Sequence, residues 1–178
     1  MNKYVQIAKK DFGFEQAAEL KIALLEFLPE VRAMCSENRC GSYGKRWTCP
    51  PGCGTLQQIS DKAKVYKHGI LIQTVKTLED EFDWETMMET EKLQKKRMEQ
   101  FVRFMQSQCR QCLPMSSGTC CICEECTYPD RPCRFPDKAW SSMEAYGLLV
   151  QDVCIRSGLN YYYGKQMISY TGCVLYKE

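Results

Sequence analysis

The sequence predicts a small α/β or α+β domain, in which a short sheet and several helices carry two cysteine-rich loops. Three observations lead there. Residues 65–75 (VYKHGILIQTV) have the β-branched and apolar content of a strand, and residues 167–176 alternate well enough for another. Other segments carry helical apolar spacing. Two stretches dense in cysteine, at 35–54 and 109–136, connect the regular elements. At 178 residues the chain can bury a real core as one domain, 1–178, and no repeat or low-complexity linker divides it.

In chain order, residues 16–34 favour a helix but are interrupted at Pro29, which suits one helix or a helix with a short strand. The first cysteine loop follows, and then the strand at 65–75. Asp80 or Asp83 can cap the next helix, which runs to about Cys109. Its apolar face is Met98, Phe101, Val102, Met105 and Cys109, and Glu91 can pair with Lys95 at i,i+4. Beyond the second loop, Ser141 with Glu144 forms a capping box, and Trp140 can staple onto Ala145. That helix buries Met143, Tyr146, Val150, Val153 and Cys154 and stops at Gly158. The strand at 167–176 comes last.

Composition is ordinary, at 44% hydrophobic and 26% charged with a net charge of +2, and gives no reason to expect bulk nucleic-acid or membrane attraction. Cysteine is the outlier, thirteen against one histidine. The start MNKYVQ has no signal-peptide pattern, and no apolar stretch is long enough to span a bilayer. The expected location is cytoplasmic, where thiols stay reduced and clustered cysteines bind metal more often than each other. The odd count also argues against a complete disulfide framework.

Cys120, Cys123 and Cys126 are spaced C-x2-C-x2-C, with Cys133 seven residues on and Pro136 close behind. A [4Fe–4S] cubane needs four converging thiolates, and a ferredoxin-type run supplies three from one tight loop and a fourth from beyond. Zinc is the alternative, drawing on Cys109 and Cys112 with Cys120 and Cys123 as two C-x2-C pairs. Cys109 and Cys112 also read as core residues beside an apolar helical stripe, and Cys121 falls outside the ligand register. The first loop offers Cys35, Cys40, Cys49 and Cys53 at C-x4-C-x8-C-x3-C, among glycines and Pro50-Pro51. This spacing is less diagnostic: a second cluster is favoured, with zinc or no metal as rivals.

Cys35-(x)4-Cys40-x-x-Tyr43-Gly44-Lys45…Cys49-Pro50-Pro51 precedes the second run, which continues through Cys126-Thr127-Tyr128-Pro129, Pro132-Cys133-Arg134-Phe135-Pro136 and Ser142-Met143-Glu144-Ala145-Tyr146-Gly147. Together these resemble the family of cysteine-rich "predicted metal-binding proteins", a domain of unknown function, over about residues 30–176. The resemblance implies metal or Fe–S binding through Cys35, Cys40, Cys49, Cys120, Cys123, Cys126 and Cys133, without an established reaction. Cys53 stands where the family varies, while Cys109, Cys112, Cys121, Cys154 and Cys173 look like additions of this chain.

Arg39, Lys45, Arg46, Arg131, Arg134 and Lys138 lie in or beside the loops. Cations there stabilise an anionic cluster and suit an acidic redox partner such as a ferredoxin or flavodoxin. They also suit a solvated basic surface. His68 reads as packed or exposed, not as a ligand, and Glu124 and Glu125 accept from nearby N–H groups or face water. Tyr161, Tyr162 and Tyr163, with Trp140 and Phe135, are expected in the core or as a lid. No phosphate loop, nucleophile elbow or HExxH motif is present. The sequence thus favours an iron–sulfur electron carrier with two [4Fe–4S] clusters. The alternatives are an enzyme whose first cluster leaves one iron open because Cys53 does not bind, and a structural zinc module.

Overall fold

Four strands form one antiparallel sheet in the computed structural model, which describes residues 2–178. β1 (Gln16–Leu20), β2 (His68–Thr77), β3 (Gln111–Met115) and β4 (Met167–Lys177) lie in the order β1-β2-β4-β3. The long central pair runs in register from His68 opposite Tyr176 to Thr77 opposite Met167. Successive strand residues face opposite ways. Ile70, Ile72, Val174 and Tyr176 therefore join one buried cluster, while Leu71, Cys173 and Leu175 join another. A strand buried on both faces needs an apolar run instead of alternation, as GILI at 69–72 supplies.

Helices cover both faces. α1 (Lys3–Phe12) and α4 (Trp84–Gln108) pack on the first, with Met98, Phe101, Val102 and Met105 fully buried as the helical stripe predicts. α3 (Leu56–Lys64) and α5 (Val150–Arg156) pack on the second through Ile59, Ala63, Val150, Val153 and Cys154. Each large apolar side chain buried this way is worth about 1.5–3 kcal/mol over exposure. Asp83 is the residue that caps α4, its Oδ1 accepting from Thr86 N at 3.0 Å, and Lys95 Nζ meets Glu91 Oε1 at 2.6 Å. His68 is half-buried and stacks on Tyr176 with ring centroids 5.3 Å apart.

Several expectations change. Of the two readings of residues 16–34, the structure has the helix with a short strand and not the single helix: β1 pairs with β2, a 3-10 turn spans Ile22–Leu24, and α2 is Pro29–Ser36. Pro29 opens that helix instead of interrupting it, because its missing N–H is one the first turn cannot use. Beyond Ser141 the helix breaks at Gly147 (φ 81), leaving a 3-10 turn at Glu144–Tyr146 and α5 separate from it. A Cβ on Gly147 would lie 2.6 Å from Leu56 Cδ1, and its carbonyl accepts from Leu28 N at 2.8 Å, so packing against neighbouring segments sets the break. Ser142, not Ser141, accepts from Ala145 N, and Trp140 packs beside the α4 cluster instead of stapling onto Ala145.

The segment at 109–136 is not all loop, since β3 occupies Gln111–Met115 as an edge strand, where Pro114 costs no ladder bond that matters. Tyr161 and Tyr162 are exposed, and Tyr163 donates to Gln73 Oε1 at 2.7 Å, so this trio does not build the core. Two helices lay outside the sequence expectation. α1 is capped by Asn2, whose side chain accepts from Tyr4 N, and closes on Gly13 in the left-handed region. α3 opens on a complete Thr55–Gln58 capping box.

Candidate metal centre

The first loop leaves α2 with Cys35 already in the last helical turn and ends at the start of α3. Asn38 and Gly41 adopt positive φ (53 and 70), and Asn38 Oδ1 accepts from Tyr43 N at 3.0 Å, folding the chain back on itself. Cys53 N donates to Cys49 O at 3.1 Å, a helical-type turn that places these two thiols together. The four thiols share one electrostatic neighbourhood. Burial pushes the Cys35 thiol up, with Glu144, Cys40 and Cys49 adding to the rise and Arg32 opposing it. Burial likewise pushes Cys53 up, with Arg32 opposing and Cys49 and Cys35 adding.

Arg32 had no signal in the sequence beyond its place one turn before Cys35. Its guanidinium donates to Ala145 O and Gly54 O, each at 2.9 Å, and approaches Cys53 Sγ at 3.6 Å. The Cys53 thiol in turn donates to Ala145 O at 3.6 Å. Cys53 is therefore gripped from the core side, while Cys40 is exposed and Cys35 and Cys49 are half-buried.

In the second loop, Cys120, Cys123, Cys126 and Cys133 all line one small cavity, partly continuous with solvent. Phe135 and Arg134 border it from the same loop, and Arg46, Trp47 and Thr48 border it from the first loop. Thr127 Oγ1 donates to Pro132 O at 2.9 Å, and Arg134 donates to Glu125 O at 2.9 Å, drawing Cys133 back towards the C-x2-C-x2-C turn. Burial raises the Cys120 thiol, opposed by a hydrogen bond from Ile122 N–H and by Arg46, and assisted by Cys121 and Cys133. Backbone N–H groups and cations around sulfur are the features by which proteins stabilise thiolate-bound clusters. Glu124 and Glu125 face water. Among the described residues, no three His, Cys, Asp or Glu side chains converge tightly enough to hold a metal ion directly. The thiols instead stand around the cavity wall.

The two loops interlock. Trp47 Nε1 donates to Arg131 O at 3.0 Å, and the Trp47 ring meets Tyr128 edge-on with centroids 4.9 Å apart. Gly52 lies so close that a Cβ there would be 2.7 Å from Arg46 O and 2.8 Å from the Tyr128 ring. Cys49 Sγ lies 3.7 Å from Thr119 Oγ1, which also contacts Ser42 Oγ at 3.1 Å. From α4, Lys95 donates to Thr119 O at 3.0 Å and approaches Cys121 Sγ at 3.6 Å. Burial works against the Lys95 charge, but Glu91 and Cys121 outweigh it and hold the ammonium above its ordinary value.

The remaining thiols behave as packing. Cys109 is buried with its thiol donating to Tyr4 OH at 3.6 Å, and burial, aided by Cys109, pushes Cys112 up to about 12. Cys109 is the C-cap of α4, and Cys112 follows it in β3. The two join the cluster under the sheet, whereas Cys120 is influenced by Cys121 and Cys133, so the structure does not gather Cys109 and Cys112 with Cys120 and Cys123. Burial pushes Cys154 up to about 11, and Cys173 is fully buried. Around the loops Arg39 pairs with Glu37 at 2.8 Å and Lys138 approaches Glu99 at 3.6 Å, while Arg46 and Arg134 lie at the cavity.

A family model described as "Predicted metal-binding protein (DUF2284)" matches residues 18–176, from β1 through almost all of β4. No curated protein and no solved structure matches the chain. Among the described residues no helix is long and apolar enough to cross a membrane.

Proposed function

The chain belongs to the predicted metal-binding protein family, and from that premise we propose that it is an iron–sulfur protein relaying single electrons in the reducing environment of the cytoplasm. Cys120, Cys123, Cys126 and Cys133 would hold one [4Fe–4S] cluster, and Cys35, Cys40, Cys49 and Cys53 a second. The observation that carries this reading is the cavity of the second loop. Four thiols at ferredoxin-type spacing line its wall, with the Ile122 N–H on Cys120 and Arg46 and Arg134 beside it. The C-x2-C-x2-C spacing favours an inorganic cage over a lone zinc ion, which draws on two separated C-x2-C pairs.

When bound, such clusters supply reversible one-electron storage at a potential set by hydrogen bonds and charge. The chain's own residues do the rest. Arg46 and Arg134 offset the anionic charge, and Trp47 and Phe135 border the cavity with apolar surface. The exposed Arg39, Lys45 and Arg131 offer a surface that steers an acidic carrier such as a ferredoxin or flavodoxin. Anaerobic isolation followed by iron, sulfide and zinc analysis tests the proposal. Four irons and four sulfides per cluster are expected, whereas stoichiometric zinc without sulfide would refute it.

One observation favours a second reading for the first loop. The Cys53 thiol donates to Ala145 O, a bond only the protonated form makes. A first site built on Cys35, Cys40 and Cys49 alone would leave an iron open to a small-molecule or sulfur ligand, which is enzyme chemistry. Cys53→Ser separates the two: an unaltered first-site spectrum places Cys53 outside the ligand set, and loss of that cluster places it inside.

A further inference from the structure

We propose that Thr119 is a positioning residue that couples the two cysteine sites, its hydroxyl holding the sulfur of Cys49 while its backbone carries Cys120. This deepens the iron–sulfur reading and rests on it. Each loop places a threonine directly before a candidate ligand at the junction, Thr48 before Cys49 and Thr119 before Cys120. Thr48 lines the cavity of the second loop, and Thr119 reaches Cys49 of the first at 3.7 Å, so each site is walled partly by the other's chain.

The direction of the hydrogen bonds follows from valence. A hydroxyl has one proton and two lone pairs, and a metal-bound sulfur can only accept. In the structure Thr119 Oγ1 donates to the buried Ser42 hydroxyl at 3.1 Å; with Cys49 bound, the pair would reverse, Ser42 donating to Thr119 and the Thr119 proton turning to sulfur. The Thr119 carbonyl is held independently by Lys95 at 3.0 Å, which fixes the residue from α4. Standard Cα spacing then keeps the Cys49 and Cys120 sulfurs within about 13 Å of each other. A change of charge at one site is felt at the other across this short distance.

The test is a potentiometric titration of the anaerobically isolated full chain, followed by electron paramagnetic resonance, with iron and sulfide counted on the same samples. Fully reduced wild type is expected to show fast-relaxing, interaction-broadened signals. Thr119→Val, which keeps the shape and removes the donor, is expected to shift one midpoint downward. Thr119→Ser is expected to hold it near wild type. Two magnetically isolated signals in the wild type would overturn the proposal, as would a Thr119→Val protein with both midpoints unmoved. Where the valine variant loads poorly, two isolated signals in the wild type still overturn the coupling, and a Thr119→Ser midpoint displaced from wild type overturns the role of the hydroxyl. Samples without iron and sulfide would remove the iron–sulfur reading itself, and the coupling with it, so the counts tell the two failures apart.

Discussion

Gly52→Ala is the sharpest single perturbation of the loop junction. Gly52 does not have positive φ, so alanine meets no intrinsic backbone strain there, and any effect must come from contact. The new methyl would lie 2.7 Å from Arg46 O, a backbone atom, and 2.8 Å from Tyr128 Cε2, a ring wedged against Trp47. Neither obstacle is the free end of a flexible side chain: the Arg46 carbonyl belongs to the first loop itself, which must reshape, and relief on the Tyr128 side moves the two loops apart. Overpacking of this kind costs about 1–3 kcal/mol. Separation also forfeits the Trp47–Tyr128 edge contact, worth about 0.5–1.5 kcal/mol. A loss of about 2–3 kcal/mol, at a urea slope of about 2 kcal/mol/M, lowers the unfolding midpoint by roughly 1 M. Parting the loops also withdraws Arg46, Trp47 and Thr48 from the cavity of the second loop, so metal content should fall in the same sample. Urea titration with metal analysis reads both. An unchanged midpoint together with full loading would refute the claim that the first loop walls the second site.

Other expectations follow from the same geometry. Burial alone would raise the Glu15 carboxyl, but N–H donors of Val75 and of Glu15 itself, with Arg97 at 2.9 Å, outweigh it and hold it below its ordinary 4.5. A depressed carboxylate contributes stability that is present above 4.5 and lost as pH falls through the folded value. Glu15→Gln should therefore cost on the order of 1 kcal/mol at neutral pH after solvent screening, and the gap between the two denaturation curves should close in acid. Equal gaps at both pH values would disprove the linkage. Cys112→Ala should leave metal content unchanged while lowering the thermal midpoint, because its thiol packs beside Cys109 under the sheet. Loss of metal in that variant would return it to the ligand set.

The legible parts were those where one local rule suffices. β2, β4 and α4 each carry a period over enough residues that side-chain direction follows from spacing, and Cys120, Cys123, Cys126 and Cys133, close in sequence, line one cavity. Residues 16–34 left two readings open, one helix or a helix with a short strand, because β1 is an edge strand whose identity comes from pairing with β2, from Gln16 opposite Gln73 to Leu20 opposite Gly69. The helix after Ser141 failed because Gly147 yields to Leu56 and Leu28, which no window around it contains. By contrast, α1 and α3 carried readable caps at Asn2, Gly13 and Thr55–Gln58 that went unused.

Sequence by itself determined that thiols gather in two short stretches, that one spaces them C-x2-C-x2-C, and that a doubly buried pair of strands anchors the chain. Those are properties of neighbours a few residues apart, where covalent geometry limits the choices. Tertiary structure alone decided that the two loops lock together through Trp47, Gly52 and Thr119, that Arg32 grips Cys53 from α2, and that Cys109 and Cys112 belong to the core. Each is a contact between segments distant along the chain, made only once the sheet and its two helix layers have fixed where the loops emerge.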